Sequence, residues 1–439
     1  MLKLRFLLLS ALFTLVIMAI TTQTLIAEQE ITVGNDFGVG ARAMGMAGAF
    51  TGVADDYTAL HWNPAGLSHI RRMEAFGALS HEKVNNETEF FGTTDSTFVS
   101  NTKLTSFGIV FPIPTYRGGL AFAFGVNRIQ SFDLRTSING YNEVAFEVDK
   151  EFGELYIDDV TDESGGISSW DFGFAVDIAP NVALGATLSF LTGNYNYNND
   201  LYANDSKQLD TILNDYNLLN EISRNYYGVD GKIGLMTYFD RYAKLGLTIT
   251  VPLSLSIEED WYWSSNSYYD DGTSEKSSDS GIFNYDISRP IRFNAGVAVR
   301  PVTGATISAD IGYTDWTQTR YNDSPSGDVK DFKTDYKGTV KFAVGGEYYI
   351  PQTGLALRAG YMIDPMPTAG YMIDIMPYNL EKMEIESDRQ YLTFGIGMIM
   401  SGSFSLDIAY VRGSSKISSD NISKEVDTTK IFLSSGFRF

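Results

Sequence analysis

The stretch SWDFGFAVDI, residues 169–178, alternates between two kinds of side chain along its whole length. Every second residue from Trp170 to Ile178 is apolar, and most of these are large, whereas the residues between them, from Ser169 to Asp177, are small or acidic. A period of two residues predicts a β-strand with one apolar face and one polar face. Strands of about ten residues with an aromatic-rich outer face are typical of transmembrane β-barrels.

The same period recurs in VALGATLSF (182–190), KLGLTITVPLSL (244–255) and VKFAVGGEYY (340–349). The strands of a soluble β-sandwich alternate in the same way. The lengths of the connections between strands distinguish a sandwich from a transmembrane barrel. We predict fourteen strands joined alternately by short turns and long links. The predicted long links are 85–102, 134–167, 198–225, 257–283, 319–336, 364–388 and 414–428. This rhythm predicts an all-β fold, a 14-stranded antiparallel transmembrane β-barrel of the bacterial outer membrane, with both termini on the side of the tight turns.

Both ends of the chain agree with a location in the outer membrane. Residues 1–27 place Lys3 and Arg5 before an apolar run, which predicts a secretory signal peptide. The last strand, IFLSSGFRF, ends on Phe439, and such a strand resembles the tag that the barrel-assembly machinery reads. We therefore expect that machinery, outer-membrane lipid and lipopolysaccharide among the partners.

Composition excludes several other classes of protein. Without residues 1–27 the chain has 31 basic residues against 54 acidic ones, a net charge of −23, which argues against nucleic acid as a partner. The sequence contains no cysteine, so neither disulfides nor thiol chemistry are expected.

Residues 28–70, which precede the first predicted strand, are rich in glycine and poor in apolar bulk. Fourteen strands enclose a lumen too wide for wall side chains to fill. A segment that cannot bury enough surface alone is explained if it folds inside that lumen. We therefore predict an N-terminal hatch over 28–70 that plugs a barrel over 71–439.

The run GMAGAFTGVADDYTALHWNPAGL (45–67) is similar to the N-terminal hatch of the FadL/TodX family of outer-membrane transporters of hydrophobic compounds. RPIRFNAGVAVRPVTGATISADIGYTDW (289–316), LRAGYMIDPMP (357–367) and SDRQYLTFGIGM (387–398) resemble later strands of that family. The resemblance implies uptake of long-chain fatty acids or similar hydrophobic molecules by a monomer without a cofactor. The hatch residues that match are Gly45, Gly48, Asn63, Pro64, Ala65 and Gly66.

Family members take their ligand at extracellular loops. Here LDTILNDYNLLNEIS (209–223) has apolar residues three to four apart, which predicts an amphipathic helix in a loop, and WYWSSNSYY (261–269) is aromatic. We expect a ligand-binding groove from these stretches, with packing on the barrel rim as the alternative. Its candidate residues are Leu213, Tyr216, Ile222, Trp261, Trp263 and Tyr268.

Two further sites are expected inside the wall. Alternation turns Arg292, Lys341 and Arg358 toward the lumen, where a cation would bind the carboxylate of a fatty acid. In GGLAFAFGVNRIQSF (118–132) the apolar positions change parity near Asn127, which indicates a bulge or kink. The family opens its wall at a kink in the third strand, so the resemblance implies a lateral gate at Gly125, Asn127 and Arg128.

An enzyme is not expected. The spacing of His61, His69 and His81 fits no metal motif, and no nucleophile elbow is present, so we predict no catalytic residue, metal or cofactor. Two alternatives to transport stay open: a shuttle that binds surface proteins in a type IX-like secretion system, which the GARAMGMAGAF run (40–50) also resembles, and a passive porin.

Overall fold

The computed structural model describes residues 38–142, 155–208, 213–240, 242–322, 336–368, 371–374, 380–400 and 402–439. The predicted signal peptide, 1–27, and the first ten residues of the predicted hatch lie outside these ranges.

The elements begin with two short helices and a 3-10 helix, after which the described residues are mostly β-strand. The helices are α1 (Ala41–Met44) and α2 (Ala59–Trp62), and the 3-10 helices are Pro64–His69 and Trp316–Gln318. The strands are β1 (Glu74–Phe90), β2 (Thr93–Ile113), β3 (Leu120–Ser131), β4 (Leu134–Tyr141), β5 (Tyr156–Ala179), β6 (Val182–Asn204), β7 (Leu213–Phe239), β8 (Ala243–Tyr269), β9 (Ser274–Ser288), β10 (Arg292–Val299), β11 (Ala305–Asp315), β12 (Arg320–Asn322), β13 (Gly338–Ile350), β14 (Leu355–Asp364), β15 (Tyr371–Asp374), β16 (Leu380–Met400), β17 (Phe404–Ser418) and β18 (Ile422–Arg438).

Fourteen of these strands form a closed antiparallel ring. The ring runs β1, β2, β3, β5, β6, β7, β8, β10, β11, β13, β14, β16, β17 and β18, and β18 pairs with β1 from Glu74↔Arg438 to Phe90↔Ile422. The other four strands lie toward the long connections: β4 pairs with β5, β9 with β8, β12 with β9, and β15 with β16. The predicted 14-stranded antiparallel barrel is therefore confirmed.

The two faces of the wall follow the alternation of the sequence. In β5, Trp170, Phe172 and Phe174 are 43%, 50% and 44% exposed on the outside, while Asp171 and Ala175 are buried inside. The same outward exposure of large apolar side chains recurs around the ring, which is the surface expected of a barrel that faces lipid. Among the described residues, no helix is long and apolar enough to cross a bilayer.

The strands next to the predicted long links are longer than the sequence suggested. β5 to β8 contain 23 to 27 residues each, about twice what is needed to cross a bilayer, so much of the predicted links 134–167, 198–225 and 257–283 is strand. These hairpins stay paired far beyond the apolar belt. For example, β7 and β8 pair from Phe239↔Ala243 to Leu213↔Tyr269.

The amphipathic helix predicted over 209–223 is wrong for the described residues 213–223, which belong to β7. Tyr216, Ile222 and Tyr226 are buried and even-numbered, so they share the inner face of a strand. Backbone pairing to β6 on one side and β8 on the other overrides the helical spacing of the apolar residues. Residues 209–212 lie outside the described ranges. The aromatic stretch 261–269, predicted as loop, is the end of β8.

Candidate functional site

Residues 38–70, here called the N-terminal segment, lie inside the ring. Met46, Phe50 and Tyr57 have no exposed surface, and Leu60 is 1% exposed. Pro64–His69 packs against β3, β5, β6 and β7, and α1 packs against β16, β17 and β18. The segment and the wall share one apolar cluster, to which the wall contributes Val110, Ala121, Ala123, Ala175, Ala183, Met236 and Ala298.

Glycines on the inner face of the wall make this close approach possible. A Cβ at Gly125 would overlap the Tyr57 ring, and a Cβ at Gly185 would overlap the backbone at Pro64. Gly234, Gly246, Gly345 and Gly360 face other parts of the segment in the same way. Glycine is needed at these positions because main chain of the segment, or a large side chain, occupies the space of a side chain.

The hatch residues singled out in the sequence hold the segment in shape. The Asn63 side chain accepts a hydrogen bond from the Ala65 amide at 3.1 Å and donates to the carbonyls of Thr51 and Leu235, at 3.0 and 3.2 Å. Asn63 is fully buried. These hydrogen bonds cap the 3-10 helix and also connect the segment to β7. Pro64 is the first residue of that helix.

The three matched glycines lie at close contacts. Gly48 has a φ of 74° and faces the Trp62 ring, so a side chain would be both strained and obstructed. Gly45 approaches the backbone of Gly395 on β16, and Gly66 lies against the Ala54 carbonyl.

Arg42 links the segment to the wall by ion pairs. Its guanidinium donates to Glu347 on β13 through two nitrogens, at 2.9 and 3.0 Å, and to Asp55 and Asp56 of the segment at 2.5 and 3.3 Å. Glu347 also accepts from Arg358 at 2.7 Å. We call this group of five side chains the latch.

Two pKa shifts within the segment agree with these contacts. Burial alone would lower the pKa of Arg42, but the carboxylates of Asp55 and Glu347 raise it well above its ordinary value. Burial would likewise raise the pKa of Asp55, yet Arg42 and Lys244 hold it below its ordinary value. Both partners are therefore charged at neutral pH.

Below the segment, on the side of the tight turns, a cavity of about 510 Å³ is lined by charged side chains together with apolar ones such as Val53, Phe76 and Ile399. Arg42, Asp55, Lys244, Glu347 and Arg438 contribute the charged groups. A hydrocarbon in this cavity would therefore lie against several charges.

Above the segment, on the side of the long connections, the inner face carries a large group of packed apolar and aromatic side chains, and the buried ion pair of Arg224 with Glu259, at 2.7 Å, lies among them. We call this group the lumen cluster. It consists of Ile129, Phe132, Ile167, Leu191, Tyr195, Tyr197, Ile222, Tyr226, Leu255, Ile257, Tyr285, Ile287, Trp316 and Tyr336, with Trp261 and Phe283 packed against it. Its side chains come from β3 and the residue after it, from β5 to β9, and from Trp316 and Tyr336, which lie between β11 and β13.

The groove residues predicted from the sequence divide between two places. Ile222 and Trp261 belong to the lumen cluster. Tyr216 and Leu213 belong to a separate cluster at the outer end of the barrel, the rim cluster, which includes Phe90, Met383 and Ile422. Trp263 is 7% exposed and Tyr268 is 41% exposed. The six residues therefore do not form one continuous groove.

Each of the three predicted lumen cations has a carboxylate neighbour. Arg292 lies 3.5 Å from Asp230, and Lys341 lies 3.8 Å from Asp364. These two residues lie on β10 and β13, on either side of β11. Arg358 belongs to the latch and also contacts Asp407 at 2.8 Å, so it lies apart from the other two.

The pairing of β3 changes on both sides near the predicted gate. β2 and β3 pair from Ile113↔Leu120 to Ser106↔Asn127, and the described residues show no backbone pairing between them above that point. On the other side of β3, Arg128 faces Ser168 and Gln130 faces Ile167, so Ile129 is an extra residue. The predicted bulge is thus present, centred two residues after Asn127. We call the region between β2 and β3 above Ser106 the seam.

Asn127 holds the lower end of the seam. Its side chain donates to Asp171 at 2.6 Å and accepts from Ser106 at 2.6 Å, and Tyr57 of the segment approaches it at 3.4 Å. Above it, Lys103 on β2 reaches Asp133 across the seam. The Arg128 guanidinium donates to the Gly165 carbonyl at 2.5 Å.

Arg42 was not among the residues predicted to form a site. A signal was nevertheless present, because Arg42 is the one cation in a run of glycine, alanine and methionine, and arginine is seldom buried without a carboxylate partner. Asp310 on β11 also holds the segment, since it accepts hydrogen bonds from the amides of Phe50 and Thr51 at 3.0 and 2.8 Å.

Solved structures of other proteins have a similar architecture. A FadL homologue of Pseudomonas aeruginosa superposes with a TM-score of 0.57 at 14% identity, covering 92% of this chain and 100% of its own. The toluene transporter TodX of P. putida gives 0.62 at 15%, and the toluene transporter TbuX of Ralstonia pickettii gives 0.56 at 13%, each covering 92% of this chain and 99% of its own. At these identities the likeness establishes the fold, which confirms the FadL/TodX resemblance at that level.

No curated protein sequence matches the chain. The model of the BamG family matches residues 11–421, so the chain belongs to the BamG family.

Proposed function

We propose that the protein carries hydrophobic small molecules, long-chain fatty acids or compounds of similar character, across the bacterial outer membrane. The observation that carries this proposal is the apolar lumen cluster enclosed by the ring, directly above the N-terminal segment. A pore for ions or sugars would need a polar lining there. The names of the similar structures, a FadL homologue and two toluene transporters, support the same class of cargo.

The N-terminal segment acts as the hatch in this proposal, with residues 28–70 as the plug and 71–439 as the barrel. The latch fixes the segment to β13, and several charged side chains line the cavity below it. A hydrophobic ligand in the lumen cluster therefore meets a barrier toward the tight turns. Release sideways into the bilayer avoids that barrier.

A path follows from these surfaces. The ligand first contacts the outer end of the barrel, where Leu213, Tyr216, Trp263 and Tyr268 lie, and then the lumen cluster with Ile222 and Trp261. A carboxylate on the ligand would bind Arg292 or Lys341, which share one part of the inner face. Arg358 is the least favoured of the three cations because Glu347 and Asp407 already hold it.

The seam is the proposed lateral gate, with Gly125 and Asn127 at its base and Arg128 beside the bulge. Ile129 and Phe132 belong to the lumen cluster and lie at the end of β3 that borders the seam. The apolar surface of the lumen therefore reaches the seam. A monomer that is delivered by the barrel-assembly machinery through Phe439 and surrounded by lipid would release its ligand there.

Deletion of Ile129 tests the gate. Without the extra residue, Arg128 and Gln130 would pair consecutively with Ser168 and Ile167, and the strand would continue straight beside β2. We expect cells that produce this variant to take up a labelled long-chain fatty acid at the rate of cells without the protein. The matched control is Ile129→Val, which keeps both the bulge and a β-branched apolar side chain in the lumen cluster and should keep most of the uptake.

Uptake by the deletion variant at the wild-type rate would remove the lateral gate from the proposal. Equal uptake by cells with and without the wild-type protein would remove transport itself. Both variants should first show the heat-dependent gel mobility of a folded barrel.

A further inference from the structure

The tight-turn end of the barrel carries exposed arginines, although the whole chain has a net charge of −21. Arg71, Arg72 and Arg117 are exposed. We call these three residues the arginine arc. Among the described residues, the exposed acidic side chain at this end is Asp240, which lies in the β7–β8 turn, two hairpins away from the β2–β3 turn.

Contacts with the turns fix the position of the arc. Arg71 donates to the Gly118 carbonyl at 2.6 Å and lies 3.4 Å from Asp177, which places it at the β2–β3 and β5–β6 turns. Arg72 donates to Ser403 at 3.3 Å and to the Gly402 carbonyl, at the β16–β17 turn. The arc therefore lies beneath the consecutive strands from β16 through β18 and β1 to β3.

Large apolar side chains on the outer face end just above the arc. Ile113 and Phe437 are 43% and 49% exposed, and Phe439 is 55% exposed and stacks on Phe437. Tyr116 is fully exposed in the same turn as Arg117. Tyrosine and arginine at the end of an apolar belt are the side chains that lie at the level of lipid headgroups.

We propose that the arginine arc binds the phosphate groups of anionic phospholipids in the leaflet on the tight-turn side of the membrane. The proposal rests on the membrane location in the proposed function, but on neither the cargo nor the gate. Guanidinium groups suit phosphate because they donate two parallel hydrogen bonds, and each basic residue near an anionic surface adds to the attraction. An acidic protein would satisfy the same charges, but the adjoining apolar belt favours lipid.

The test measures retention of phosphatidylglycerol and of phosphatidylcholine with the same acyl chains by the detergent-purified protein, using native mass spectrometry. We expect the wild type to prefer phosphatidylglycerol by about tenfold, and the preference to fall toward unity at high salt. The triple variant Arg71→Gln, Arg72→Gln, Arg117→Gln should lose it.

Because Arg71 and Arg72 also bind turn carbonyls, Arg117→Glu alone is a second variant. Arg117 lies at the exposed tip of its turn, so its replacement should not affect folding. The substitution should reduce the preference for phosphatidylglycerol severalfold. The control is Arg412→Gln, which removes one exposed charge in the middle of β17, away from the tight turns, and should leave the preference unchanged.

Equal retention of both lipids by the wild type, or an unchanged preference in the triple variant, would overturn the proposal. Binding of oligoglutamate without a lipid preference would also overturn it and would assign the arc to an acidic protein. Since no fatty acid or uptake is measured, failure here is distinguishable from failure of the transport proposal.

Discussion

Replacing Gly185 and Gly345 together by valine is expected to expel the N-terminal segment from the lumen while the barrel stays folded. A Cβ at Gly185 would overlap the backbone at Pro64, and one at Gly345 would overlap the backbone at Met46. Main chain cannot move aside as a flexible side chain does. Valine is favourable in a β-strand, so the substitutions should destabilise the packing of the segment and leave the wall stable.

The variant is measured by protease accessibility of the segment and by conductance in planar bilayers. The segment should become cleavable, and the conductance should rise above that of the wild type, because the segment no longer fills the part of the lumen below the lumen cluster. The matched control is Gly231→Val with Gly346→Val, on the same part of the ring, where a Cβ approaches no atom closer than 3.9 and 3.7 Å respectively. A protected segment in the first variant would contradict the view that wall glycines admit it.

Replacing Arg42 by alanine is expected to loosen the segment without expelling it. The change leaves Asp55, Asp56 and Glu347 without their shared cation in a largely buried site. Because Arg42 is 23% exposed and Glu347 keeps Arg358, we expect a cost of about 2–3 kcal/mol, less than for a fully buried pair.

Hydrogen exchange of the amides in residues 41–67 measures this effect. Exchange should be faster in Arg42→Ala, and a second change, Glu347→Gln, should restore part of the protection because it removes one of the stranded charges. The control is Arg412→Ala, whose partner Asp427 lies 3.9 Å away on an exposed surface. Unchanged exchange in Arg42→Ala would show that apolar packing alone fixes the segment.

The sequence predicted the wall well because its signal is repeated in every strand. Outward aromatic residues such as Trp170 and Phe172 alternate with small or polar ones, and a one-residue slip would turn them all inward. The count of fourteen followed from the rhythm of turns. The bulge near Asn127 was visible because it breaks the same alternation.

The hairpins beyond the belt were harder to predict. Outside the bilayer, polar side chains are tolerated on the outer face, so Asn217 and Glu221 in β7 look like loop residues although backbone pairing extends past them. The spacing of Leu213, Tyr216 and Ile222 is also typical of the apolar face of an amphipathic helix, which led to the wrong prediction. Only the partners on β6 and β8 settle the conformation, and a single sequence does not reveal them.

The contacts of the site depended on packing that no local pattern encodes. That the glycine-rich segment needs the barrel could be argued from its lack of apolar bulk. That Arg42 pairs with Glu347, 305 residues away, could not, because the pair depends on how the segment is placed in the lumen. The same holds for the separation of Tyr216 from Ile222.

Equilibrium binding of a labelled long-chain fatty acid to the detergent-purified protein tests the central proposal most directly. We predict saturable binding that unlabelled hydrophobic competitors displace, and that weakens about tenfold or more in the double variant Arg292→Gln, Lys341→Gln, which should bind an uncharged hydrocarbon as before. Absence of saturable binding of any hydrophobic ligand to the folded barrel would contradict it.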